Sequence, residues 1–198
     1  MPNSETASQQ SCGFVALIGA PNAGKSTLVN ALVGAKVSIV SCKVQTTRSL
    51  VRGICMEGET QLVLVDTPGL FAPKRRLERA MVTSAWGGAG DADVICLLID
   101  VRKWPDEESE AILERLPDLK QKKFLVLNKI DMVPPEEREA RVRDFVRRYR
   151  WKGPVFAVSA LAREGLQPLL HQAFAHVASQ RVAVPVRDTR FDAGEDDA

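Results

Sequence analysis

Residues 19–26 read GAPNAGKS: a glycine, four residues, then Gly24, Lys25 and Ser26. Glycines let a backbone wrap an anion with no Cβ in the way. The N–H groups of such a loop, and of a helix opening after it, point at that anion. Lys25 would set a point charge on a bound polyphosphate, and Ser26 would offer a hydroxyl to a divalent cation. Three more clusters follow apolar runs. Asp66, Thr67, Pro68 and Gly69 end LVLV, where a carboxylate holds Mg²⁺, usually through water, and where the Gly69 N–H can approach a terminal phosphate. Asn128, Lys129, Ile130 and Asp131 follow FLVL. A carboxylate at Asp131 can accept from both N1–H and the exocyclic amine of guanine. Adenine leaves it unpaired, a mismatch that rejects an analogue by several orders of magnitude. Lys129 would lay its aliphatic stem along the base, and Asn128 would tie this loop back to the phosphate loop. Ser159, Ala160 and Leu161 close the last run, with the Ala160 N–H offered to guanine O6.

These clusters need elements to hold them. Apolar stretches at 14–18, 50–56, 60–66, 93–100, 123–128 and 154–160 predict six strands. The pair 50–56 and 60–66 flanks a Glu57-Gly58-Glu59 turn and reads as antiparallel, which leaves the others to pair in parallel. Helical patterns fall between them at 25–32, 75–86, 107–116, 134–150 and 165–178, with the glycine run 87–90 expected to end the second. Along 134–150, Val142, Phe145, Val146 and Tyr149 form one apolar stripe. Strands alternating with helices predict an α/β fold, mostly parallel, with helices on both faces. Ligands of such folds bind beyond the carboxyl ends of the strands, where all four clusters lie.

The totals fit this picture. The chain has 198 residues, 45% hydrophobic and 26% charged, enough for one domain with an ample core. A net charge of +2 is too small to argue for nucleic acid by itself. Four irregularly spaced cysteines (Cys12, Cys42, Cys55, Cys96) suggest neither zinc nor a disulfide framework. The polar start lacks the apolar core of a signal peptide, and no run approaches a membrane span, so a soluble cytosolic protein is expected. Residues 1–12 read as a disordered lead-in, 13–179 as the folded domain, and 180–198 as a flexible tail.

Taken in order, GAPNAGKS, QTTR, DTPG, NKID and SAL resemble the P-loop GTPases of the translation-factor-related class, with a Ras-like G domain of six strands and one antiparallel edge. More narrowly, SIVSCKVQTTRSLVRGI and LFAPKRRLERAMV resemble the Era family, GTPases of small-ribosomal-subunit assembly; Der and MnmE share the QTTR-like and PNAGKS features. The resemblance implies GTP or GDP as ligand. Its contacts would be Gly19, Ala20, Pro21, Asn22, Ala23, Gly24, Lys25, Ser26 and Thr27 for the phosphates, Asp66, Thr67, Pro68, Gly69 and Leu70 for the γ side, and Asn128, Lys129, Ile130, Asp131, Ser159, Ala160 and Leu161 for the base. It implies a switch I segment including Gln45, Thr46, Thr47, Arg48 and Ser49, Mg²⁺ held by Ser26, Thr47 (or its neighbour Thr46) and Asp66, and Lys25, Thr47, Gly69 and Asn22 as the catalytic set. Asn22 matches the residue that helps hold K⁺ in potassium-stimulated relatives.

The same resemblance implies the small ribosomal subunit and its 16S rRNA as partners, a cytoplasmic monomer, and peripheral association with the inner membrane. Two departures bear on this. Leu70 stands where Ras-like enzymes place a water-orienting glutamine, so slow intrinsic hydrolysis is expected. Era-family proteins carry a C-terminal RNA-binding KH domain, and none is read after residue 179; the letters GGAG at 87–90 lie at a helix end and are not taken for its loop. Basic residues gather at Lys74, Arg75, Arg76 and Arg79, and along 138–152, where neighbouring acids favour a solvated face over an RNA contact. His171 and His176 read as structural.

Overall fold

The computed structural model describes residues 11–38, 40 and 50–180. Six strands form one sheet: β1 (Ser11–Gly19), β2 (Val51–Glu57), β3 (Thr60–Asp66), β4 (Val94–Asp100), β5 (Lys122–Asn128) and β6 (Val155–Val158). Their spatial order is β2-β3-β1-β4-β5-β6, parallel except for the β2–β3 hairpin at one edge. Five helices connect them: α1 (Lys25–Val33), α2 (Arg76–Gly90), α3 (Glu107–Arg115), α4 (Pro135–Tyr149) and α5 (Leu166–Ser179). The chain passes from β3 to β4 across the central β1, so the strand order reverses direction beside β1, where α/β sheets open a ligand crevice.

Period-two alternation in the central strands builds two cores. Val15 and Leu17, Val94, Cys96 and Leu98, and Phe124 and Val126 pack beneath α1 and α5. Their neighbours Ala16 and Ile18, Ile95, Leu97 and Ile99, and Leu125 and Leu127 pack beneath α2, α3 and α4. Being covered on both faces is why these strands are apolar without interruption. Cys55 and Cys96 are buried thiols, and burial pushes Cys96 up to about 12.

Two elements extend well beyond the sequence expectation, while β6 is shorter than the expected 154–160. Strand β1 begins at Ser11, inside the stretch read as lead-in, because residues 11–13 continue the parallel ladder against Thr60, Gln61 and Leu62. Helix α2 runs through the glycines to Gly90. Glycine propensity argues against that, but Ala85 and Ala89 are fully buried on one stripe of the helix. A Cβ at Gly88 would come within 3.3 Å of Leu50. Close packing thus keeps these residues helical, and GGAG is no loop. No helix among the described residues is long and apolar enough to cross a membrane.

Phe124 is fully buried and meets Phe156 at a ring-centroid distance of 5.6 Å. Phe124→Ala should lower unfolding stability by ~3–5 kcal/mol in urea titrations. Met56, 63% exposed, serves as comparison; its alanine variant should stay within about 0.5 kcal/mol. A Phe124 loss as small as that of Met56 would contradict the placement of the core.

Candidate nucleotide-binding site

Three buried strands end in a polar residue, β3 in Asp66, β4 in Asp100 and β5 in Asn128, and Ser159 stands just past β6. All four side chains are buried, at 5% exposure or less. Carried to one edge of a parallel sheet, they meet the loop that leaves β1.

That loop turns on Gly24, which takes φ 100° and directly precedes α1. A Cβ there would sit 2.3 Å from Asn128 Nδ2, so the site excludes any side chain. Gly69 approaches the same loop from the other side: an added Cβ would lie 2.9 Å from Pro21 Cα. The Leu70 N–H donates to the Gly19 carbonyl at 3.0 Å, which fixes the two segments together.

Lys25 is 6% exposed, and its ammonium donates to the carbonyls of Gly19 (3.0 Å) and Ala20 (2.9 Å). The loop curls around the cation and turns these two carbonyls onto it. Burial pulls the Lys25 pKa down to about 8, against the opposing pull of Asp66 and Glu108. An anion in the loop would supply the charge that burial withholds.

The Ser26 hydroxyl donates to Asp66 Oδ2 at 2.6 Å, and the Ser38 hydroxyl donates to the same oxygen at 2.9 Å. Hydroxyl and carboxylate oxygens meeting at one point are the hard donor set that Mg²⁺ takes, with water and phosphate oxygens completing the octahedron. The residues present therefore fit the ion. Ser38 was not read as a site residue, and no sequence period marks its loop; Asn30 holds it by accepting the Val37 and Ser38 N–H groups, each at 2.8 Å.

Asn128 does what its position suggests. Its amide donates to the Ala23 carbonyl at 2.8 Å and its Oδ1 accepts the Ala160 N–H at 3.0 Å. The Ala160 N–H expected to face guanine O6 is thus engaged by Asn128. Lys129 takes φ 66° and donates to the Asn22 carbonyl at 2.7 Å, so its stem runs across toward the phosphate loop. Asp131 is exposed at the rim. The Ser159 hydroxyl accepts the Ala162 N–H at 3.0 Å and shapes the following loop.

Several expected contacts are backbone matters only. Thr67 gives its hydroxyl to the Leu17 carbonyl at 2.7 Å, inside the sheet. Leu70 and Ile130 are each 2% exposed and belong to the core beneath α2, α3 and α4. The leucine is therefore unable to touch a water at the site at all. Asn22 has φ 61° and an exposed side chain. Gln45, Thr46, Thr47, Arg48 and Ser49 lie outside the described residues.

The basic residues sort themselves. On α4, Arg138 pairs with Glu164, Arg143 with Glu139, Arg147 with Asp144 and Arg148 with Glu110, at 2.6–3.1 Å. Among the described residues the side chains of Arg141 on α4 and of Lys120, Lys122 and Lys152 make no ion pair or hydrogen bond. The three lysines line a groove with Asp93, Lys123, Trp151 and His176 at the amino ends of β4 and β5, opposite the four clusters.

A family model described as "50S ribosome-binding GTPase" matches residues 14–129. The chain is 58% identical to GTPase Era of Afipia carboxidovorans over 165 residues, 83% of this chain and 53% of that protein. It is 68% identical to GTPase Era of Brucella suis over 129 residues, 65% of this chain and 42% of that one. Among solved structures it is similar to Era in complex with MgGDPNP and nucleotides 1506–1542 of 16S ribosomal RNA, at TM-score 0.81 and 32% identity, over 89% of this chain and 60% of the other. The chain spans about half the length of the curated relatives it matches. On the phosphate loop, the polar strand ends and these likenesses together, the chain belongs to the Era family of GTPases.

Proposed function

We propose that this chain binds GTP with Mg²⁺ and hydrolyses it slowly to GDP and phosphate, as a switch in small-subunit assembly. The observation that carries this reading is Asn128, whose one amide joins the phosphate loop to the base loop. In this reading the loop N–H groups and Lys25 bind the β/γ-phosphates, Gly69 N–H senses the γ-phosphate, and Asp131 pairs with guanine. Mg²⁺ held by Ser26, Asp66 and Thr47 would neutralise charge that develops on the phosphate oxygens. The burial of Leu70 leaves the attacking water without a side-chain handle, which supports a slow intrinsic rate. Asn22, exposed at the turn of the loop, would hold K⁺ beside the phosphates. The buried Leu70 also favours a second reading, a nucleotide-dependent binding module with negligible turnover. We further place the protein in the cytoplasm as a monomer, with peripheral association at the inner membrane.

The Era structure bound to a 16S rRNA fragment supports ribosomal RNA as partner for this chain. For this domain we place the contact in the groove of Lys120, Lys122 and Lys152. Cations without partners release counterions when they meet phosphates, while the paired arginines of α4 would first have to break their own contacts.

Single-turnover hydrolysis in KCl and NaCl, with and without small subunits, separates the two readings. We expect K⁺ or subunits to raise the rate at least about tenfold; a rate that never leaves the solution background would reject the enzyme. Binding of a labelled 16S 3′-end RNA to Lys120→Glu/Lys122→Glu/Lys152→Glu should weaken, and its log–log salt slope should shrink by about 2. If Arg143→Glu/Arg147→Glu lost as much, the groove would not be the contact.

Lys25 sets a pH dependence. Its folded pKa of about 8 lies below the ordinary lysine value of 10.5, so the unfolded chain keeps a proton that the folded one has released. Stability from this group therefore rises with pH between about 8 and 10.5. Bound phosphates favour the ammonium, so GDP binding should take up about half a proton at pH 8 and almost none at pH 7. Titration calorimetry in two buffers of different ionisation enthalpy measures this; equal uptake at both values would contradict it.

A further inference from the structure

Asp100 belongs to none of the nucleotide motifs, yet it closes β4 directly beside Asn128 in the sheet register. It is 5% exposed and holds two cations. Its Oδ2 accepts from Lys129 Nζ at 2.6 Å and from an Arg102 Nη at 2.7 Å. Its Oδ1 accepts from Arg102 Nε at 2.9 Å and from the Arg102 N–H at 3.1 Å. Burial pushes this carboxyl up, but the hydrogen bonds from Arg102 and Lys129 overcome it and hold the pKa at about 2. The group is therefore ionised at neutral pH. Arg102 also lies close enough to feel the charge of Asp131 at the rim.

The same Lys129 ammonium reaches past Asp100 to the Asn22 carbonyl at 2.7 Å. Both residues it joins are in the left-handed region, Lys129 at φ 66° and Asn22 at φ 61°. Asparagine takes that conformation readily, but a lysine rarely holds it unless its surroundings impose it. A flexible lysine stem would not hold one geometry alone. An ionised, buried carboxylate at a fixed strand end supplies the anchor.

We propose that Asp100 is a positioning residue for guanine-nucleotide binding, holding the Lys129 ammonium between β4 and the phosphate loop so that the stem is set for the base before the nucleotide arrives. The inference rests on guanine-nucleotide binding by this chain. Asp100 acts on the base side, through Lys129, so its loss weakens GDP and GTP by the same factor. It acts on retention of the nucleotide more than on turnover.

Stopped-flow release of mant-GDP and mant-GMPPNP tests it, with Arg143→Ala as control. Asp100→Asn should release both nucleotides roughly 10–50-fold faster, as loss of one partner of a buried charge pair does. Arg102→Ala, which leaves the lysine pair in place, should give a smaller acceleration and keeps the test open if Asp100→Asn folds poorly. The double variant Asp100→Asn/Lys129→Ala should be no faster than Lys129→Ala within about twofold, because the two act as one unit. Release by Asp100→Asn within about twofold of wild type, acceleration of only one nucleotide, or multiplying effects in the double variant would each overturn the clamp. A wild-type chain that retains no mant-GDP would overturn nucleotide binding along with it, whereas normal wild-type retention beside an unchanged Asp100→Asn overturns the clamp alone.

Discussion

The site depends on one buried amide. Asn128 stands at the end of a strand covered on both faces, 1% exposed, and donates to the phosphate loop while accepting from the loop after β6. Three segments far apart in sequence are set by a side chain with no freedom to move. The constraint reaches back into composition: Gly24 must lack a Cβ because Asn128 Nδ2 occupies the space. It also reaches forward, since Lys129 and Asp131 leave the strand from a fixed point.

Charge is the second constraint. Buried charges cost several kcal/mol each unless they are paired or hydrogen-bonded. Asp100 meets this with two cations, and its carboxyl is held well down. Among the described residues the Lys25 ammonium donates to two backbone carbonyls, and burial lowers its pKa against the pull of Asp66 and Glu108. One group is satisfied by the protein; the other is satisfied when an anion enters. That difference separates a scaffold charge from a ligand-binding one.

Much of this was legible in the sequence. The uninterrupted apolar runs marked buried strands, and the polar residues closing them marked the site where a motif followed, since an Asp or Asn after a strand is by itself ordinary turn chemistry. The same signal marked Asp100, at the end of LLI, but without a known motif after it the residue passed as the end of a strand. Ser38 gave no signal, because its place is fixed by Asn30 and Asp66 from distant parts of the chain. The glycine run hid the last turn of α2, where burial of Ala89 outweighs local propensity. Neighbouring acids already favoured a solvated face along α4; folding reveals which arginines find an acid, and that Lys120, Lys122 and Lys152 line a groove at the other end of the sheet without one among the described residues.

The central claim is that the phosphate loop and the base loop act as one guanine-specific unit. Equilibrium titration of the Mg²⁺-loaded protein with GDP and with ADP tests it most directly. A carboxylate that pairs with guanine and is left unpaired by adenine predicts a preference for GDP of at least about 10³-fold. ADP bound within about tenfold of GDP would contradict the account, because the loops would then hold phosphates without reading the base.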